Sequence, residues 1–164
     1  MDHDYFMKKA LDQARHALDA GDFPVGCVLV GDGKVLATGM RLGTSQDAPN
    51  EVDHAEMNAL RQLAETTAPT GALTAYCTME PCLMCFGALI ISGVKTIVYA
   101  YEDAMGGATA CDLSRLAPLY QQADVTIVPH VMRAESLAFF KAFFQNPQNQ
   151  YWPDSLLAQY TLDQ

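Results

Sequence analysis

The sequence has little positive charge: ten Lys and Arg stand against nineteen Asp and Glu, giving a formal net charge of −9. Nucleic-acid affinity comes largely from basic side chains neutralising phosphates, and Lys8-Lys9 is the only adjacent basic pair. No basic stripe is visible along the chain, which disfavours a nucleic-acid groove. Long hydrophobic runs are missing too. The stretch from Gly87 to Ile91 falls far short of a membrane span, so no membrane contact is expected. The segment Met1 to Ala10 carries Asp2, Asp4, Lys8 and Lys9 and lacks the apolar core of a signal peptide. Five cysteines without an export signal argue against a disulfide framework and for a reducing, cytoplasmic setting. Repeats, low-complexity tracts and linkers are absent. The 164 residues, half of them apolar, suffice for a single domain over 1–164, with a C-terminal aromatic tail at about 146–164.

What is present reads as alternating helices and strands. Asp4 caps a first helix running to about Ala20, with Phe6, Ala10, Leu11, Ala14, Ala17 and Leu18 at helical spacing, and Gly21 ends it. Val25 to Val30 and Val35 to Met40 are strands joined by a Gly31-Asp32-Gly33-Lys34 turn. A polar loop from Arg41 to Val52 precedes a second helix that starts near Asp53 or His54 and reaches about Glu65. Leu73 to Thr78 is a strand, Cys82 to Ser92 a helix and Thr96 to Tyr101 a strand, an order that implies a parallel crossover. Leu113 to Ala123 is expected to be helical, Val125 to Val128 a strand, Ala134 to Gln145 a helix and Ser155 to Tyr160 a last short helix. The fold class is α/β, a five-stranded mixed sheet with helices on both faces.

Chemistry concentrates in two segments, His54-Ala55-Glu56 and Pro81-Cys82-Leu83-Met84-Cys85. Cys82 and Cys85 stand three apart at a helix start, so both sulfurs reach one ion, and the helix N-terminus favours their thiolates. His54 adds a third ligand from another element. Three protein ligands leave a tetrahedral zinc ion one position for water, whose pKa zinc lowers to about 7. Structural zinc sites, the plainer reading of a Cys-x-x-Cys pair, rarely leave that position open. Glu56 lies roughly 200° around a regular helix from His54. Both residues serve one site only if the metal lies off the helix end. Glu56 is then placed to carry a proton from water to a ring nitrogen and on to the leaving amine. The set predicts one zinc per chain and hydrolytic deamination of an amino-substituted heterocycle.

These two segments, with Pro24-Val25-Gly26-Cys27-Val28-Leu29-Val30 and Thr78-Met79-Glu80, resemble the cytidine and deoxycytidylate deaminase superfamily, whose His-x-Glu and Pro-Cys-x-x-Cys signature is a known one. Pro-Cys-x-Met-Cys-x-Gly-Ala is similar to the branch holding tRNA adenosine deaminases, bacterial guanine deaminases and fungal cytosine deaminase. The resemblance implies a three-layer α/β/α fold, a parallel fifth strand, a homodimer, zinc at His54, Cys82 and Cys85, and Glu56 as proton carrier. Family members commonly place a base-contacting asparagine about eleven residues before the zinc histidine; here that position is Gly43, and Asn50 and Arg41 are candidates to replace the contact. By the same resemblance Phe23, Pro24 and Ala55 are candidate pocket residues, Asp103 a candidate contact to a purine edge, and Trp152 or Tyr151 a candidate lid. The acidic composition favours a free nucleobase, nucleoside or related small amino-heterocycle, guanine- or cytosine-like, as substrate. The alternatives are a tRNA adenosine-to-inosine deaminase and a non-catalytic zinc-binding partner subunit.

Overall fold

The computed structural model describes residues 2–45, 47–66 and 71–164. Helix α1 spans His3–Asp19, followed by β1 Gly26–Gly31, β2 Lys34–Met40, α2 Ala55–Ala64, β3 Leu73–Met79, α3 Leu83–Ile91 and β4 Val94–Tyr101. A 3₁₀ turn at Leu113–Arg115, then α4 Pro118–Gln121, β5 Thr126–Val128, α5 Arg133–Gln145 and α6 Leu156–Leu162 complete the chain. The sheet order is β2-β1-β3-β4-β5. β1 pairs antiparallel with β2 and β3, and β4 pairs parallel with β3 and β5. This is the expected mixed sheet with its parallel fifth strand.

Strand alternation assigns the layers. Val28, Val30, Tyr76, Val98 and Ala100 face α1, packing on Phe6, Met7, Ala10 and Leu11. Their neighbours Cys27, Leu29, Ala75, Cys77, Ile97 and Tyr99 face the opposite core, which holds Ala55, Ala59, Phe86 and Leu89 of α2 and α3. Strands buried on both faces lose the polar alternation of a half-exposed sheet, so β1 and β3 are apolar almost throughout. Two glycines allow close helix approach. A Cβ at Gly26 would lie 2.1 Å from the Ala10 carbonyl oxygen of α1, and one at Gly39 would lie 2.1 Å from that of Ala55 on α2. In the β1–β2 turn Asp32 and Gly33 both have positive φ, 51° and 72°, as a two-residue hairpin of the primed type requires.

Three local readings change. The cap of α1 is Asp2, whose carboxylate accepts from the Tyr5 backbone N–H, and Asp4 lies within the first turn. Residues 113–123 do not form one helix: Pro118, which lacks an N–H and disfavours a helical residue before it, splits the segment into the 3₁₀ turn and α4. The two motif helices start one residue later than their first ligand, because His54 and Cys82 are N-caps with extended backbones.

Candidate active site

That N-cap placement answers the angular problem posed by His54 and Glu56. An N-cap residue stands outside the helical spiral, so its side chain need not follow the helix rotation. His54 Nδ1 is 3.6 Å from Cys82 Sγ and 3.5 Å from Cys85 Sγ, and Cys85 Sγ lies 3.4 Å from Glu56 Oε2. The four side chains thus converge where the N-termini of α2 and α3 meet. Zinc–sulfur bonds of about 2.3 Å and zinc–nitrogen bonds of about 2.0–2.1 Å at tetrahedral angles put sulfur and nitrogen ligands about 3.5 Å apart. The observed separations have this value, and all three ligand atoms lie within 4.8 Å of one another. His54, Cys82 and Cys85 therefore fit one zinc ion.

Electrostatics favours the ligand state. The hydrogen bond with Cys85 and the neighbouring His54 hold the Cys82 thiol down at about 4, although burial opposes them. Burial lowers the His54 pKa, but Cys82 and Glu56 outweigh it and raise the group overall. Glu56 is 3% exposed; burial pushes its carboxyl above the usual range, partly countered by a backbone hydrogen bond and by His54.

The segment leading into His54 is tied down from several sides. Asp53 carbonyl oxygen accepts from Leu42 N–H, Arg41 Nη1 and Asn58 Nδ2, while its carboxylate accepts from Asn50 Nδ2 and Arg61 Nη1. Upstream, the buried Asp22 carboxylate accepts from Thr44 N–H, Thr44 Oγ1 and Ser45 N–H. On the α3 side, Glu80 accepts from the backbone N–H groups of Asp103 and Thr109 and from Thr109 Oγ1, which fastens the loop after β4 beside Cys82.

A pocket of about 540 Å³, its open mouth included, ends on this centre. Its lining includes Phe23, Arg41, Ala55, Glu56, Glu80, Asp103, Tyr151 and Trp152. Of the candidate pocket residues, Phe23, Ala55, Asp103 and Trp152 thus line it. Pro24 and Asn50 do not line it. Asn50 is a loop brace: its Oδ1 accepts from the Val52 and Asp53 N–H groups, so its amide is spent on its own turn. Asp103 likewise accepts from Met105 and Gly106 N–H, and burial raises its pKa. Tyr151 and Trp152 stack with centroids 4.6 Å apart at 15°, and both rings meet the Phe23 ring at steep angles, with centroids 5.5 and 6.2 Å away. The C-terminal segment therefore walls this chain's own pocket. Sequence reasoning missed Glu51, whose Oε2 accepts from Arg41 Nη2 at 3.2 Å and Tyr151 Oη at 2.8 Å; an acid in a polar loop carries no local signal of such a role.

Residues 1–101 match the cytidine and deoxycytidylate deaminase zinc-binding region. A tRNA-specific adenosine deaminase of Bacillus subtilis (strain 168) is 30% identical over 142 residues, covering 85% of this chain and 87% of that protein. One from Buchnera aphidicola subsp. Schizaphis graminum is 32% identical over 146 residues, covering 87% and 93%. A solved structure from a study of A-to-I editing by tRNA:A34 deaminases at the wobble position of transfer RNA has a TM-score of 0.69 at 27% identity, covering 82% of this chain and 98% of that one.

These relatives overturn the expectation of a free base or nucleoside as substrate, since proteins matching most of the chain are tRNA-specific adenosine deaminases. That expectation rested on net charge, a sum over the whole surface, whereas a phosphate responds to charges within a screening length of about 8–10 Å. Along the groove between α1 and α5, Lys8, Lys9 and Arg15 stand beside Asp12 and Glu135, so the local balance there is more positive than the whole chain's. Because the match over residues 1–101 spans both segments that build the metal centre, the chain belongs to the cytidine and deoxycytidylate deaminase zinc-binding family, a family of hydrolytic deaminases.

Proposed function

We propose that the protein converts an adenosine of tRNA to inosine, with water as co-substrate and ammonia as product. The observation that carries this reading is the extent of its likeness to the Bacillus subtilis tRNA-specific adenosine deaminase, which runs well beyond the zinc motifs. A base within an RNA must leave its stack to reach such a pocket, and the Phe23, Tyr151 and Trp152 rings offer it an apolar, aromatic wall. His54, Cys82 and Cys85 hold the zinc, which when bound lowers the pKa of a coordinated water to about 7. Glu56 would take one proton of the attacking water on a carboxylate oxygen and place it on adenine N1, then take the second proton from the oxygen newly bonded to C6 and deliver it to the departing 6-amino group, so that the two protons of water account for both transfers. One carboxylate serves both transfers because it is buried within reach of the ligand set and faces the pocket. The raised pKa of Glu56 suits a group that must hold a proton between two transfers.

A homodimer belongs to the proposal. The outer face of α3 exposes Leu83 and Ile91, and Leu116 and Leu119 are exposed too; a second copy would cover this apolar surface.

The test supplies an anticodon stem-loop carrying a target adenosine beside free adenine, guanine, cytosine and their nucleosides, and measures inosine and ammonia. Inosine in the stem-loop supports the proposal. Turnover of free bases with an untouched stem-loop refutes it.

A further inference from the structure

Arg41 is buried at 2% exposure, yet it borders the pocket. A guanidinium in such a place needs hydrogen-bonding partners, because an unpaired buried charge is costly. Its Nη1 donates to the carbonyl oxygens of Leu42 at 2.8 Å and Asp53 at 3.1 Å, and its Nη2 donates to Glu51 Oε2 at 3.2 Å. These bonds to described residues engage three of the five N–H groups a guanidinium carries. The same Glu51 oxygen accepts from Tyr151 Oη, and Tyr151 stacks on Trp152. The cation is thus fixed in position and oriented by its neighbours on two sides.

The geometry points to Arg41 as the residue that reads the substrate base. A guanidinium only donates. It therefore selects a ring edge made of acceptors. On adenine, once the 6-amino group and N1 face the reaction centre, the remaining edges present N7 and N3, both acceptors. An arginine N–H directed at one of them favours a purine ring, while Glu51 and Tyr151 keep the fork from turning away. This reading rests on the proposed RNA adenosine substrate and names the contact that would hold its purine ring.

The test is a cycle between enzyme and substrate. Stem-loops carrying adenosine, 7-deazaadenosine or 3-deazaadenosine at the target position are given to the wild type and to Arg41→Met, and kcat/KM is measured for each. A hydrogen bond from a charged donor corresponds to roughly a 10- to 100-fold loss when its acceptor is removed. The wild type should show this loss with one deaza substrate, and in Arg41→Met the extra loss should shrink to within about 3-fold. A purely structural Arg41 would lower all three rates together and leave the deaza penalty unchanged, which overturns the inference. So would a wild type indifferent to both analogues. If Arg41→Met fails to retain zinc, Arg41→Lys is read by the same criterion, since one ammonium cannot serve Leu42, Asp53, Glu51 and a base together. If no stem-loop reacts but a free purine does, the tRNA reading fails separately, and the cycle is run on that purine and its deaza analogues.

Discussion

Gly39 of β2 passes so close beneath α2 that a Cβ on it would sit 2.1 Å from the Ala55 carbonyl oxygen and 2.5 Å from the Ala59 nitrogen. Both obstacles are backbone, so no side chain can swing away, and relief requires α2 to move. Because His54 caps that helix and Glu56 lies in its first turn, this glycine sets the position of two site residues. Gly39→Ala should cost about 2–3 kcal/mol as an overpacking change, lowering Tm by roughly 5–10 °C in a chain of this size. Zinc affinity should fall with it. Gly87→Ala is the control: it lies within α3 with nothing within 4 Å of its added methyl, and it should be neutral or slightly stabilising. Thermal melts with metal analysis check both.

Glu56→Ala should separate metal binding from turnover. The three ligand atoms come from His54, Cys82 and Cys85, so the variant should keep one zinc per chain. Loss of a general acid–base group lowers kcat by about 10²- to 10⁴-fold. A strong chelator should instead abolish activity in the wild type, with recovery on adding zinc back. Metal stoichiometry measured beside inosine formation distinguishes the two. A Glu56→Ala enzyme with near-normal turnover would remove that residue from the chemistry.

The parts of this site legible in the sequence are those whose geometry is local. Cys82 and Cys85 lie within one helix turn, so spacing alone brings that pair together, whereas His54 and Glu56 converge because His54 is an N-cap outside the helical spiral. Strands β1, β3 and β4 were readable because their apolar content matches burial on both faces. The pocket wall was legible only through the family resemblance, which pointed to Phe23, Ala55, Asp103 and Trp152, all of which line it. The bracing of Arg41, itself a candidate contact, was not legible, because Glu51 and Tyr151 stand one hundred residues apart and meet only in the fold. Asn50 showed the opposite failure, since a polar residue near a motif can equally be spent on its own turn. Likewise Leu113 to Ala123 has the apolar content of a helix, and only Pro118 marks the break.

Glu102 gives the fold a defined sensitivity to acid. Although burial works against its ionised form, hydrogen bonds from Arg133 and Tyr160 hold its carboxyl at about 2. These bonds tie α5 and α6 to the end of β4. A carboxyl depressed in the folded state contributes its full stabilisation above its unfolded pKa, about 4.3, and loses it as pH falls toward the folded value. Loosening of α6 should therefore set in below about pH 4.5 and complete near pH 2. Amide hydrogen exchange in residues 156–162 reports it, and Glu102→Gln should make that exchange largely independent of pH over the same window, after correction for the intrinsic rate.

Trp152 is the only tryptophan in the chain, and it lines the pocket while stacked on Tyr151. Its backbone φ of 51° is unusual for a bulky residue, and the residue is 39% exposed. A base entering the pocket must pass this ring or stack on it, so its fluorescence is a direct reporter of occupancy. Titrating the Glu56→Ala protein with the anticodon stem-loop should give a saturable change in emission, since the base binds but does not react. A stem-loop with the target adenosine replaced by an abasic site should leave emission nearly unchanged at the same concentrations. Trp152→Ala should raise KM more than it lowers kcat, because stacking on an aromatic ring contributes about 1–3 kcal/mol per base, equivalent to roughly 5- to 150-fold in binding. Equal emission changes with both stem-loops would mean that RNA meets the outer face of Trp152 without delivering a base to the zinc centre.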